Sequence, residues 1–231
     1  LLKEREGINY FESCKFLENT FYYRLYQSAP NLEEQINFGD CHDRRSGHST
    51  AIYYKTAAEY KNGHAQKMGN LVRDRFLYRE ALESKVKPGI LPEALFEMLF
   101  YDASVPETDF YDLPLVKYFD DLGLVVIRSS WEEDAIHFSF KSSHPGGKRQ
   151  WENLWKLKNE KGYDAFGLGH QHPDNNSFIL VANDTYLAID EGYNRTVKAA
   201  DHNVVLVDGC GYQDDGQNNI WRNYLPDMVG D

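Results

Sequence analysis

The sequence predicts an α+β chain of two parts: helical over residues 1–105, and an antiparallel β-sandwich over 116–231. Three observations carry this. Apolar residues recur at three- and four-residue spacing in the first part. Short alternating runs separated by turn residues fill the second. Pro106 and Pro114, set among polar residues, mark 106–115 as the linker.

The first helical face runs through Tyr10-Phe11, Cys14, Leu17-Glu18 and Phe21-Tyr22, and stops at Ser28-Ala29-Pro30-Asn31. Ser49 to Asn62 is a second helix, with Ala51-Ile52, Tyr54-Lys55 and Ala58 along one side. Lys67 to Ser84 is a third. Pro92 suits the first turn of a fourth, which ends near Tyr101. Helices joined by short connections predict stacked helical hairpins.

Beyond the linker, Leu124 to Arg128 reads as a strand, and Ala135 to Lys141 alternates with Ile136, Phe138 and Phe140 on one side. Phe178–Ala182 and Thr185–Asp190 flank Asn183-Asp184, a tight hairpin turn. Asn203 to Asp208 is a further strand, closed by Gly209. Regular short strands of this kind predict a sandwich.

Composition narrows the partners. The formal net charge of −11 argues against nucleic acid, which needs a basic surface. An acidic polymer would need a local basic patch, for which Arg44-Arg45, Lys148-Arg149, Arg195 and Arg222 are the candidates. No apolar run is long enough to span a membrane. Cys14, Cys41 and Cys210 are dispersed and form no CxxC pair, so neither a disulfide framework nor a cysteine metal site is implied. The 16 tyrosines suit either a sugar site, where rings stack and hydroxyls bond, or aromatic-rich β structure.

The densest chemical signal is Gly167-Leu168-Gly169-His170-Gln171-His172-Pro173-Asp174-Asn175-Asn176-Ser177-Phe178. Alternate residues of an extended segment point the same way, so His170 and His172 can share a site. With Asn183-Asp184 as the turn, Asp190 lies opposite Ser177, at the end from which His172 departs. His202 immediately precedes the next expected strand. His172, Asp190 and His202 can therefore meet at one sheet end. Two imidazoles and a carboxylate leave an open position on zinc. A set of ordinary histidines in a chain holding eight of them fits the same spacing.

A longer ordered series resembles a known family. It comprises Asp121 to Arg128 with Ser129-Ser130-Trp131, then Phe138 to Lys141, then Gly169 to Asp174 with Ser177-Phe178. Asp190-Glu191-Gly192-Tyr193 and His202 to Gly209 complete it. The series looks like the β-sandwich of heparinase II/III-like polysaccharide lyases. Glu6-Gly7-Ile8-Asn9-Tyr10-Phe11 and Phe38-Gly39-Asp40 are similar to segments of that family's α/α toroid.

The resemblance implies that residues 1–105 are the C-terminal part of an α/α toroid. It implies zinc ligation by His172, Asp190 and His202, with Tyr10 and His170 as the catalytic pair. It further implies β-elimination on uronic-acid-containing polysaccharide, glycosaminoglycan or alginate-like, and a secreted or periplasmic setting. Phe11 stands where the family has tryptophan and Glu191 where it has proline. The family's Asn/His element belongs upstream of Glu6, so a fragment with an incomplete toroid and sandwich is expected. A non-catalytic, metal-containing carbohydrate-binding module is the competing expectation. A cupin-type metal enzyme also carries His-x-His, but it expects a glutamate ligand shortly after, where Ser177 and Phe178 stand.

Overall fold

A computed structural model describes residues 2–36, 38–39, 47–83, 91–144, 146–163, 172, 174–190, 192 and 198–211. The α+β order read from the sequence, helices first and an antiparallel sheet after, is the order observed. The chain divides into two compact units. One comprises Leu1–Ser28, Leu32–Gln35 and Arg45–Leu113; the other comprises Ala29–Asn31, Ile36–Arg44 and Pro114–Asp231. No helix among the described residues is long and apolar enough to cross a membrane.

In the helical unit, the first expected helix is interrupted. Helices α1 (Leu2–Glu6), α2 (Tyr10–Ser13) and α3 (Lys15–Tyr26) take its place. The break at Cys14 is extended backbone, φ −114° and ψ 98°. Asn9 caps α2 by accepting from Phe11 N at 3.2 Å, satisfying one of the free N–H groups of a first turn. On α3, Phe21, Leu25 and Tyr26 are buried, as the i, i+4 spacing requires.

Helix α4 (Thr50–Tyr60) ends at Lys61, which adopts a left-handed φ of 51°. Helix α5 (Gly63–Val72) follows at once, capped by Asn62 Oδ1, which accepts from Ala65 N at 3.0 Å. The two helices approach closely: a Cβ on Gly69 would lie 2.7 Å from the Tyr54 ring. The third expected helix proves to be α5, a π-helical turn Arg73–Leu77, and α6 (Tyr78–Glu83). Helix α7 (Leu91–Phe100) carries Pro92 in its first turn and packs against α4. The stretch after it is bonded along α5: Thr108 N donates to Gly63 O at 3.1 Å, and His64 Nε2 meets Asp112 Oδ1 at 2.9 Å.

The second unit holds a meander of five antiparallel strands in sequence order: β1 (Val116–Phe119), β2 (Leu124–Arg128), β3 (His137–Lys141), β4 (Ser177–Ala182) and β5 (Thr185–Ala188). Leu124, Val126, Ser139, Ile179 and Val181 are buried on one face. Ile179 and Val181 pack with Ala29 and Ile36, and Phe38 and Tyr186 close the cluster. Residues far upstream in the sequence thus complete the core beneath β4.

The Asn183-Asp184 turn is as expected, with both residues at positive φ, 48° and 55°, the combination a type I′ hairpin needs. A bulge then shifts the register. Val181 pairs with Tyr186, but Leu180 pairs with Ala188 instead of Leu187.

Two features were not anticipated. Strand β1 is one. The other is α8 (Lys148–Lys161), inserted between β3 and β4, with Trp151 and Leu154 turned inward. The expected strand Asn203–Asp208 does not form: only an isolated bridge, Val207 to Cys210, is present, and Val205 and Val207 are 91% and 73% exposed. Alternation alone does not make a strand.

Candidate metal centre

His172, Asp190 and His202 come together in the sheet unit. One ligand atom from each lies within 4.8 Å of the others. All three are buried, at 4%, 5% and 7% exposure. His202 Nδ1 is 2.9 Å from Asp190 Oδ2, and the two imidazole centroids are 5.2 Å apart with planes tilted by 49°. Gly192 N donates to Asp190 Oδ1 at 3.0 Å, so each carboxylate oxygen has a partner.

Local structure explains the convergence. Asp190 lies just past the end of β5, where the hairpin returns to the start of β4. His202 follows a 3₁₀ turn, Ala199–Asp201, and its N–H donates to Ala199 O at 3.1 Å. Lys198 N donates to Asp201 Oδ2 at 3.2 Å and closes that turn. Asn203 then fixes the segment to the sheet: its Nδ2 donates to Phe178 O at 2.8 Å and to Ile189 O at 3.1 Å. One side-chain amide thereby ties β4, the end of the hairpin and the residue next to His202 together. Sequence reasoning missed Asn203, whose partners are backbone carbonyls and leave no pattern in the sequence.

On the other side, His172 leads into a turn. Ser177 N donates to Asp174 O at 3.2 Å, with Asn176 at φ 61°. Asp174 is 2% exposed, and both its oxygens lie 2.9 Å from Lys141 Nζ. Nothing in the sequence signalled this ion pair, because Lys141 stands at the end of an alternating strand.

Burial alone would raise the pKa of Asp190. The hydrogen bond and charge of His202, the Gly192 N–H and the charge of His172 together outweigh it and hold the carboxyl below its ordinary value. Asp190 is therefore ionised near neutrality. Two imidazoles and a buried carboxylate form a nitrogen–oxygen donor set of the kind zinc takes with three protein ligands. The donor chemistry and the burial both fit such an ion.

Tyr10 is the first residue of α2 in the helical unit, 50% exposed. His170 lies outside the described residues, as do Arg44, Arg45, Arg195 and Arg222. Lys148 and Arg149 open α8 on the surface, and Arg149 Nε lies 3.8 Å from Asp121 Oδ1.

No family model matches the chain. The chain is similar in structure to heparinase III. One heparinase III structure covers 84% of this chain at 17% identity and a TM-score of 0.48, and the match takes in 24% of that protein. The heparan sulfate lyase HepC from Pedobacter heparinus covers 87% at 16% identity and a TM-score of 0.44, over 25% of its own length. Another heparinase III structure gives 87%, 14% and 0.44, over 27%. The chain thus spans about a quarter of the length of these proteins.

Proposed function

We propose that this chain is part of a polysaccharide lyase that cleaves uronic-acid-containing polysaccharide, glycosaminoglycan or alginate-like, by β-elimination. The observation that carries the reading is the meeting of His172, Asp190 and His202 in one buried cluster. These are the three positions that the resemblance in the sequence marks as zinc ligands.

Zinc held there would supply a fixed positive charge joining the entry to β4, the end of β5 and the segment after the 3₁₀ turn. The catalytic work falls to side chains. His170, two residues before His172, takes the proton from the carbon beside the sugar carboxylate at an imidazole nitrogen. The Tyr10 hydroxyl gives its proton to the bridging oxygen as that bond breaks. The two exchange roles when the uronate has the opposite configuration at that carbon. Charge developing on the carboxylate needs a fixed cation or donors to stabilise it. The partner is an acidic polysaccharide, and the setting is secreted or periplasmic.

The test is formation of unsaturated uronate, followed by ultraviolet absorbance. The full product of the gene encoding this sequence is incubated with a panel of uronic-acid polysaccharides. Product that disappears in Tyr10→Phe and His170→Ala variants is expected, and the responsive polymer names the substrate. Polysaccharide binding with zinc retained and no product from any polymer would overturn the lyase reading in favour of a binding module.

A further inference from the structure

Residues 141–143, at the end of β3, hold residues 174–176 through three successive contacts. Lys141 Nζ binds Asp174 Oδ1 and Oδ2, each at 2.9 Å. Ser142 Oγ meets Asn176 Oδ1 at 2.8 Å. Ser143 N donates to Asn175 Oδ1 at 2.7 Å. The last ladder pair, Lys141 with Ser177, places the two segments side by side. Two of the three contacts are partly exposed and neutral. The third is an ion pair whose side chains are only 17% and 3% exposed, with the ammonium 5.8 Å from the Phe38 ring centroid.

A buried ion pair is a poor device for stability, because desolvating both charges consumes most of the attraction. Its best-attested use is to fix register. The turn already has its own backbone hydrogen bond and two neutral contacts. What the ion pair adds is a fixed position for Asp174, and Asp174 is two residues from His172. Two residues of extended chain reach roughly 7 Å at most, so anchoring Asp174 restricts where the His172 imidazole can go.

The geometry points to Lys141 as a positioning residue for the metal centre: its ion pair with Asp174 holds His172 at the distance from Asp190 and His202 that binding requires. This rests on the zinc reading above. Partners behind a metal's ligands typically carry about 10–100-fold in affinity.

The decisive variant is the double substitution Lys141→Met with Asp174→Asn, which removes the pair without stranding a buried charge. Zinc affinity is read by chelator competition, and ligand geometry by the visible absorption of bound cobalt(II), on chains shown by circular dichroism to be folded. The double variant is expected to bind zinc about 10–100-fold more weakly with an altered cobalt spectrum. Lys141→Arg, which keeps the charge, is expected to recover most of the affinity. Leu154→Ala, on α8 and 3% exposed, serves as a control that destabilises the same unit away from the pair, and it is expected to bind zinc as the wild type does. A folded double variant with wild-type affinity and cobalt spectrum would overturn the positioning role while leaving the metal centre standing. Failure of the wild-type chain to bind either metal would overturn both.

Discussion

His202 Nδ1 and Asp190 Oδ2 stand 2.9 Å apart, both side chains almost wholly out of solvent. A neutral imidazole that donates from Nδ1 keeps its lone pair on Nε2. The contact therefore sets the tautomer of His202 as well as the position of its ring. In the absence of a metal it also gives the buried carboxylate a partner it would be costly to lack.

Asp190→Ala is the direct test of the ligand set. Removing a ligand should cost more than the roughly 10–100-fold expected for a partner behind the ligands. Zinc affinity by chelator competition checks this. A loss confined to that lower range would place Asp190 behind His202 instead of on the ion.

Metal removal should be visible in stability. A ligand that binds only the folded state at 100 times its dissociation constant stabilises by about 2.7 kcal/mol. At about 2–4 °C per kcal/mol for a chain of this size, melting should rise by roughly 5–10 °C in zinc and fall back in chelator. His202→Ala should melt at one temperature in both.

Gly123 sits at φ 55°, and a Cβ there would lie 2.0 Å from the Ser142 carbonyl oxygen. Ser142 N donates to Gly123 O at 2.8 Å, so the backbone cannot move apart without losing that bond. Gly123→Ala should cost at least the ~1–3 kcal/mol of left-handed backbone strain. Gly162→Ala, at φ 69° with open space around it, carries strain without a clash. Urea unfolding should rank Gly123→Ala as the more damaging of the two.

Asp102 is held well below the ordinary carboxylate value of 3.8 by its hydrogen bond from Lys61 and then by those from Ser104. Its folded value is depressed, so its contribution to stability is complete above 3.8 and is lost as pH falls toward the folded value. The pair is solvent-exposed, so the effect should be small and should shrink in high salt. Asp102→Asn should lower neutral stability by that small amount, converge on the wild type in acid, and so flatten the acid limb of the melting curve below about pH 4.

The sequence by itself determined the α+β order, the hairpin turn and the three side chains that meet at the centre. Helical periodicity, the demand of Asn183-Asp184 for positive φ, and the placing of His172, Asp190 and His202 around one hairpin are all local. Their physics acts within a few residues of chain, so it can be read along the chain. The tertiary structure decided what depends on distant partners. It put Ala29 and Ile36 beneath β4, where they pack with Ile179 and Val181. It shifted the hairpin by a bulge at Leu180 and Val181. It left Val205 and Val207 exposed, with only an isolated bridge from Val207 to Cys210 among the described residues. It chose Asn203 and Lys141 to hold the centre, because a carbonyl and a carboxylate brought close by folding needed a donor, and neither need exists until the chain has folded.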